Sequence, residues 1–200
     1  MKPFVSLEAP ALHLVEDRID TDVLFPARFL LIMEKDGLGR YLCYDRRFDA
    51  ADHPVANAID PALAAGAGIW LAGRDFGCGS SREQAVWALT GAGFSCVVAE
   101  SFGEIFAANC LRNGMLAICL DRGAIDTLGR ASADGPLRVD LPSQHIGRDD
   151  LSIAFEIEPA AKQRLLNGWD EIDTILARAA IDIDAFEAVQ RSSQPWLFED

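Results

Sequence analysis

The sequence predicts a domain of the α/β class, because short apolar segments alternate with helical ones through its centre. The apolar segments are GIWLAG (68–73), SCVVAE (95–100) and MLAICL (115–120), and they are separated by SSREQAVWALTGAG (80–93) and SFGEIFAANCLRNG (101–114). This strand-helix-strand-helix-strand order predicts parallel pairing with right-handed crossovers. The chain has 200 residues, 50% of them hydrophobic, which is enough for one domain with a substantial core.

The segments that flank this centre are less regular. ALHLVEDRID (11–20) and VLFPARFLLI (23–32) predict a strand, a polar turn and an irregular apolar segment. Residues 34–68 are rich in Gly, Asp and Pro, which predicts a long loop with one or two short helices. LRVDL (137–141) and LSIAFEIE (151–158) alternate like half-exposed strands, so we expect antiparallel or edge positions for them.

The C-terminal part of the chain predicts two or three helices. Ile172, Ile175, Leu176 and Ala179 follow the spacing of an amphipathic helix that buries one stripe. We therefore expect residues 1–200 to form a single domain, with a helical extension from about 159 to 200 that packs on it as a hairpin.

Composition limits the partners and the compartment. The chain carries 31 acidic and 18 basic residues, and its formal net charge is −13, which argues against nucleic acid and anionic membranes as main partners. The apolar segments are short and interrupted by proline and charged residues, so the sequence predicts no signal peptide and no membrane span. A cytoplasmic location is the expectation that follows.

The cysteines do not form a metal-binding pattern. They stand at positions 43, 78, 96, 110 and 119, without a C-x-x-C pair or a nearby pair of histidines. We expect this chain to bind no metal and no cofactor by itself, and its thiols to be free.

The stretch GRDFGCGSSRE (73–83) carries the strongest functional signal. It joins a predicted strand to a predicted helix, where open α/β sheets bind ligands, and it matches neither the G-x-G-x-x-G nor the G-x-S-x-G motif. Two capping boxes, Ser80 with Glu83 and Ser81 with Gln84, give it a purely structural interpretation. A cation at Arg82, in the first helical turn, instead favours a bound carboxylate. The residues alone leave both interpretations open.

Three ordered motifs make the chain resemble the swivelling domain of the aconitase superfamily, and in particular the family of 3-isopropylmalate dehydratase small subunits. They are GRDFGCGSSREQAVWAL (73–89), RIDTDVLFPARFL (18–30) and GFSCVVAESFGEIFAANCLRNGMLAI (93–118). The resemblance spans essentially the whole chain. It implies a three-layer β/β/α swivelling fold, a separate large subunit that carries a [4Fe-4S] cluster, and a small dicarboxylate as substrate.

The resemblance also implies roles for individual residues. Ser80 would be the catalytic base that removes a proton from the carbon next to the one that bears the hydroxyl group. Ser81 and the nearby backbone amides, including that of Gly79, would hold a substrate carboxylate. Arg82 would bind that carboxylate through two hydrogen bonds, and Asp22 would complete the polar wall of the site.

An apolar loop, FLLIMEKDGLGRYLCY (29–44), suits a substrate with a branched hydrocarbon arm. We expect the residues that contact this arm to be among Leu30, Leu31, Ile32, Met33 and Leu38, although the same residues could fill the core beneath the loop.

The chain departs from the family pattern at Gln84, Val86 and Ala117. These departures leave a second interpretation open, a hydratase small subunit that acts on citraconate, dimethylmaleate or a similar dicarboxylate. A non-catalytic carboxylate-binding module is a third.

Overall fold

The computed structural model describes residues 1–32, 34–79 and 82–198, and these form two four-stranded sheets. One sheet is parallel, in the order β2-β3-β4-β5, and the other is antiparallel, in the order β1-β6-β7-β8. The strands are β1 (Ser6–Ala9), β2 (Ala11–His13), β3 (Ile69–Leu71), β4 (Cys96–Ala99), β5 (Leu116–Cys119), β6 (Leu137–Asp140), β7 (His145–Arg148) and β8 (Leu151–Ala154).

Six helices precede or connect these strands, and two follow the last strand in the described part of the chain. They are α1 (Thr21–Leu24), α2 (Tyr44–Arg47), α3 (Ile59–Ala64), α4 (Glu83–Gly91), α5 (Glu104–Arg112), α6 (Arg122–Ser132), α7 (Pro159–Asn167) and α8 (Glu171–Ser193). Short 3-10 helices lie at Ala27–Phe29, Leu38–Tyr41 and Pro195–Leu197.

The parallel sheet is the middle layer. Side chains alternate along each strand, so Trp70 and Val97 face a core shared with α1, α4 and α5. Ile69 and Val98 face a second core, which the antiparallel sheet and α6 close from the other side. The predicted α/β class and the three-layer β/β/α architecture are therefore confirmed.

The sequence patterns missed several elements, among them the short helix α1. Helix α6 was not expected, because two glycines weaken its helical signal, yet the Asp121 side chain accepts a hydrogen bond from the Ala124 amide at 2.8 Å and Ile125 and Leu128 are buried. Strands β1 and β7 were also missed, because their segments SLEA and HIGR contain few β-branched or aromatic residues.

The C-terminal extension behaves differently from the prediction. Leu165 of α7 is buried in the second core, whereas none of the described residues of α8 is buried. Ile172, Ile175 and Leu176, which the periodicity assigned to a buried stripe, are 66%, 59% and 51% exposed. The expectation that both helices pack on the domain is thus wrong for α8, because its apolar stripe meets no facing element in the described part of the chain.

Within residues 1–32, 34–79 and 82–198, no helix combines the length and the apolar character that crossing a membrane requires.

Candidate active site

The candidate site lies where the carboxyl ends of β2, β3 and β4 meet. The loop after β3 is held between the loops that follow the two neighbouring strands. Its backbone hydrogen bonds to the loop after β2 include Arg18 N to Arg74 O at 2.7 Å, Gly77 N to Ile19 O at 2.7 Å, and Thr21 N to Cys78 O at 3.0 Å. Those to the loop after β4 include Phe76 N to Ser101 O at 3.0 Å and Gly103 N to Phe76 O at 2.9 Å. The backbone of the loop is therefore fixed on both sides.

Two glycines allow this close approach. Gly77 has a φ of +70°, and a Cβ there would run into the ring of Phe106. A Cβ on Gly103 would come within 2.6 Å of the Gly77 carbonyl oxygen. Larger residues at either position would push apart the two loops that shape the site.

Gly79, one of the predicted carboxylate-binding residues, lies directly against the DTD segment. Its φ is +96°, in the left-handed region that favours glycine, and a Cβ there would make ordinary contacts of 3.7 Å with Asp20 and Thr21. The requirement for glycine at this position is therefore conformational rather than steric.

Arg82 and Asp22, which stand far apart in the sequence, meet at this site. Nη1 of Arg82 forms an ion pair with Oδ1 of Asp22. The Arg82 side chain is only 13% exposed, whereas that of Asp22 is 54% exposed. The Asp20 side chain fixes the segment by accepting a hydrogen bond from the Val23 amide at 2.7 Å. The structure therefore brings together two of the predicted site residues.

One nitrogen of the Arg82 guanidinium is buried without a well-formed hydrogen bond in the described part of the chain. Nη1 is buried and, in the described part of the chain, makes no hydrogen bond, so its contact with Asp22 is an ion pair only. Buried polar groups are nearly always hydrogen-bonded, and an exception calls for an explanation such as a ligand. A carboxylate placed beside Arg82 would supply an acceptor with hydrogen-bond geometry.

The start of α4 corrects part of the sequence interpretation. Arg82 is the N-cap residue, with extended backbone angles (φ −134°, ψ 107°), rather than a residue of the first helical turn. The predicted capping boxes need a serine at the N-cap, so they do not describe where this helix begins. The anion that Arg82 was expected to need is, within the chain itself, the Asp22 carboxylate.

Ser80, Ser81 and Met33 lie outside the described residues. The roles of the two serines stay predictions, bounded by the described neighbours Gly79 and Arg82 on either side.

The apolar loop divides into exposed and buried parts. Leu31 is 92% exposed, and Leu30 and Ile32 are partly buried against the first core. Leu38 is fully buried in that core, so its side chain has no surface on which to meet a substrate. The contact with an alkyl arm stays a prediction, and the geometry favours Leu30, Leu31 and Ile32 for it.

Arg28 is part of an arrangement that the sequence did not indicate. It donates two hydrogen bonds to Asp45, one of them from Nη1 at 2.9 Å, and its guanidinium lies 4.6 Å from the ring centroid of Phe29 and 5.3 Å from that of Tyr44. These hydrogen bonds, which Arg28 donates and Asp45 accepts, lower the pKa of the Asp45 carboxyl and raise the pKa of the Arg28 guanidinium. A separation of 17 residues across a loop leaves no signal in the sequence for such a pair.

Asp17 links the loop after β2 to the loop after β3. Its carboxylate accepts a hydrogen bond from the Arg74 amide at 2.9 Å, and this bond is the main cause that lowers the pKa of Asp17. The Arg74 and Arg122 side chains lie 3.3 and 3.7 Å from the same carboxylate. These charges brace the rim of the site.

The cysteines do not fit an iron-sulfur cluster. All five are free, and Cys43, Cys96 and Cys110 are buried. Burial raises the pKa of the Cys43 thiol to about 12 and also raises the pKa values of the Cys96 and Cys110 thiols. Among the described residues, no group of His, Cys, Asp or Glu side chains has the arrangement of a metal site.

The three departures from the family pattern lie outside the ion pair. Val86 is buried in the first core, Ala117 is partly buried in β5, and Gln84 is half-buried on α4. Val86 and Ala117 therefore contribute packing.

Two family profiles match the sequence. The profile of the aconitase C-terminal domain matches residues 1–123, and that of the C-terminal domain of 3-isopropylmalate dehydratase small subunits matches residues 179–200.

Curated relatives match along nearly the whole chain. A 3-isopropylmalate dehydratase small subunit from Rhodospirillum centenum is 43% identical over 202 residues, which cover 98% of each protein. The 3-isopropylmalate dehydratase small subunit 2 of Bordetella parapertussis is 42% identical over 203 residues, covering 98% of this chain and 100% of that protein.

A solved structure shares the fold. The crystal structure of a 3-isopropylmalate dehydratase from Methanocaldococcus jannaschii superposes with a TM-score of 0.67 at 24% identity and covers 90% of this chain and 99% of that one.

Proposed function

This chain belongs to the family of 3-isopropylmalate dehydratase small subunits, and from this premise we propose that it forms one half of such a hydro-lyase. The enzyme would interconvert 2-isopropylmalate and 3-isopropylmalate in leucine biosynthesis, by removing water to give 2-isopropylmaleate and adding it back at the neighbouring carbon. The names of the relatives favour this substrate over citraconate and dimethylmaleate, and favour an enzyme subunit over a non-catalytic module.

The observation that carries the proposal is the buried Arg82 guanidinium at the edge where the parallel strands end. Asp22 pairs with it from one side, through a contact at Nη1 that does not have hydrogen-bond geometry in the described part of the chain. A substrate carboxylate offers acceptors that a planar guanidinium can meet with two parallel hydrogen bonds. Arg82 would thereby fix the substrate in one orientation.

Proton transfer is the step that we assign to Ser80. A serine hydroxyl is too weak a base at neutral pH, so its anion must be stabilised by several donors in a site closed to water. Amides at the start of α4 and the Arg82 cation would contribute, since both follow Ser80 closely in the sequence. Ser81 and the Gly79 amide would bind the same carboxylate as Arg82.

The family membership implies a large subunit as the partner of this chain, and we assign the [4Fe-4S] cluster to that subunit. When bound there, the cluster supplies a Lewis acid for the substrate hydroxyl group. The residues of this chain bind and orient the dicarboxylate and hold the proton. A cytoplasmic location is part of the same proposal.

Reconstitution with the large subunit tests the function. The two chains should copurify, and the complex should form 2-isopropylmaleate from 3-isopropylmalate, which can be followed by the ultraviolet absorbance of the new double bond. Each chain alone is the control and should be inactive. Turnover of citraconate but not of isopropylmalate by the complex would contradict the proposed substrate.

A further inference from the structure

Four residues outside the site described above form a continuous chain of contacts, here called the Trp87 cluster: Lys35, Glu83, Trp87 and Asn113. The indole Nε1 of Trp87 donates to Oδ1 of Asn113 at 3.0 Å. Nδ2 of Asn113 donates to Oε1 of Glu83 at 2.8 Å. The ammonium group of Lys35 lies over the face of the indole, 4.5 Å from the ring centroid.

Asn113 lies in the middle of this cluster and connects two helices. It is the C-cap residue of α5, and its Nδ2 also donates to the Asn109 carbonyl oxygen at 2.9 Å. Its carboxamide therefore joins the end of α5 to the first and second turns of α4. Glu83 directly follows Arg82, so the cluster begins beside the cation of the site and ends at the exposed side chain of Lys35.

Lys35 belongs to the loop that carries the predicted specificity residues. The far end of this loop is anchored by packing, because Leu38 is buried and a Cβ on Gly39 would collide with the backbone of Gly91. The part of the loop between this anchor and the exposed Leu31 is attached to α4 through the contact of Lys35 with Trp87.

This contact depends on attraction rather than on packing. A cavity of about 270 Å³ lies beside it, lined by Lys35, Asp36, Trp87, Thr90, Gly91 and Asn113, so the lysine has room to leave the ring. An exposed cation–π contact of this kind shifts an equilibrium by about 2- to 5-fold.

We propose that Lys35 and Trp87, with Asn113 orienting the indole, are positioning residues for substrate specificity. By holding residues 34–38 on α4, they set where Leu30, Leu31 and Ile32 stand relative to Arg82. A loop that is held for only part of the time binds the alkyl arm more weakly by the same fraction. The expected effect on catalysis rests on the proposed function. The expected effect on the position of the loop does not.

The first experiment measures the reconstituted enzyme with Lys35→Met, Lys35→Arg and, as a matched loss of an exposed lysine, Lys2→Met. Lys35→Met should raise the KM for 3-isopropylmalate about 2- to 5-fold and leave kcat within about 2-fold of its original value. Lys35→Arg keeps the cation, so its KM should stay near that of the unsubstituted enzyme. Lys2→Met should change neither KM nor kcat. A fall in kcat without a change in KM, or a failure of arginine to rescue, would overturn the proposal.

The second experiment needs no activity and therefore separates this inference from the proposed function. Hydrogen exchange on the whole free chain should show faster exchange in residues 34–41 for Lys35→Met and for Trp87→Leu. Trp87→Phe, which keeps a ring for the cation but loses the hydrogen bond to Asn113, should show a smaller increase. The double variant of Lys35→Met and Trp87→Leu should exchange no faster than either single one, because both remove the same contact. Unchanged exchange in Lys35→Met would show that the contact does not hold the loop, whatever substrate the enzyme uses.

Discussion

The loops around Arg82 and the C-terminal helix α8 place their side chains in opposite ways. At the loops, a charged residue is withdrawn from water, since the Arg82 side chain is 13% exposed. Along α8, apolar residues remain in water, since Ile181 is 84% and Phe186 is 66% exposed. Both arrangements are unfavourable in isolation.

The difference shows what each region requires. The loops bury Arg82 because three strand ends converge on it, and Asp22 offsets the cost of burying its charge. The site is therefore complete enough within this chain to be disrupted by single substitutions. The apolar side chains of α8 stay largely exposed in the described part of the chain, so substitutions of them should leave the stability of the isolated chain almost unchanged.

The largest effect is expected for Ser80→Ala in the reconstituted enzyme. Loss of the proposed base should lower kcat by far more than about 30-fold, which exceeds what a lost helix cap of about 0.5 to 2 kcal/mol could explain. The thermal midpoint should change little, because the N-cap residue of α4 is Arg82. Steady-state kinetics and thermal melts on the same preparation measure both quantities, and near-normal turnover would exclude Ser80 as the base.

Arg82→Lys should have the next largest effect. The charge remains, but the planar pair of donors is lost, so kcat/KM should fall by about 10- to 150-fold. Asp22→Asn is the matched comparison, because it keeps the size of the side chain that orients Arg82 and removes its charge. Its effect should be smaller than that of Arg82→Lys. An Asp22→Asn variant that loses more activity than Arg82→Lys would show that Asp22 has a role of its own beyond the ion pair.

The sequence predicted those features whose pattern lies within one continuous segment, and it did not predict those that depend on contacts between distant segments. The buried strands and α4 were evident because each is a continuous apolar or periodic segment. Arg82 and Asp22 were identified as site residues, but their ion pair depends on two loops that meet only in the fold. The prediction that the apolar stripe of α8 is buried relied on periodicity alone. Periodicity indicates that a helix has an apolar side, but it does not show that another part of the same chain covers that side.

Substitutions of two leucines in the apolar loop should have different effects, one on stability and the other on substrate preference. Leu38→Ala removes a fully buried side chain and should cost about 2 to 5 kcal/mol of stability. Leu31→Ala changes a side chain that is 92% exposed, so its stability should be nearly unchanged, while the preference for isopropylmalate over citraconate should fall by up to about 10-fold. Chemical denaturation and competition kinetics on both variants give the two values. An unchanged preference in Leu31→Ala would place the specificity elsewhere in the loop.

The smallest effect is expected on α8. Phe186→Ala removes a large side chain that is 66% exposed, and alanine is a good helix former, so the unfolding free energy of the isolated chain should change by less than about 0.5 kcal/mol. Leu165→Ala in the neighbouring helix α7 is the control, because Leu165 is only 1% exposed and its loss should cost about 2 to 5 kcal/mol. Denaturant titrations of the two variants should therefore separate widely. Equal losses would mean that α8 packs against the domain in solution, and the contrast between a charge paired within the chain and an apolar stripe left exposed would no longer hold.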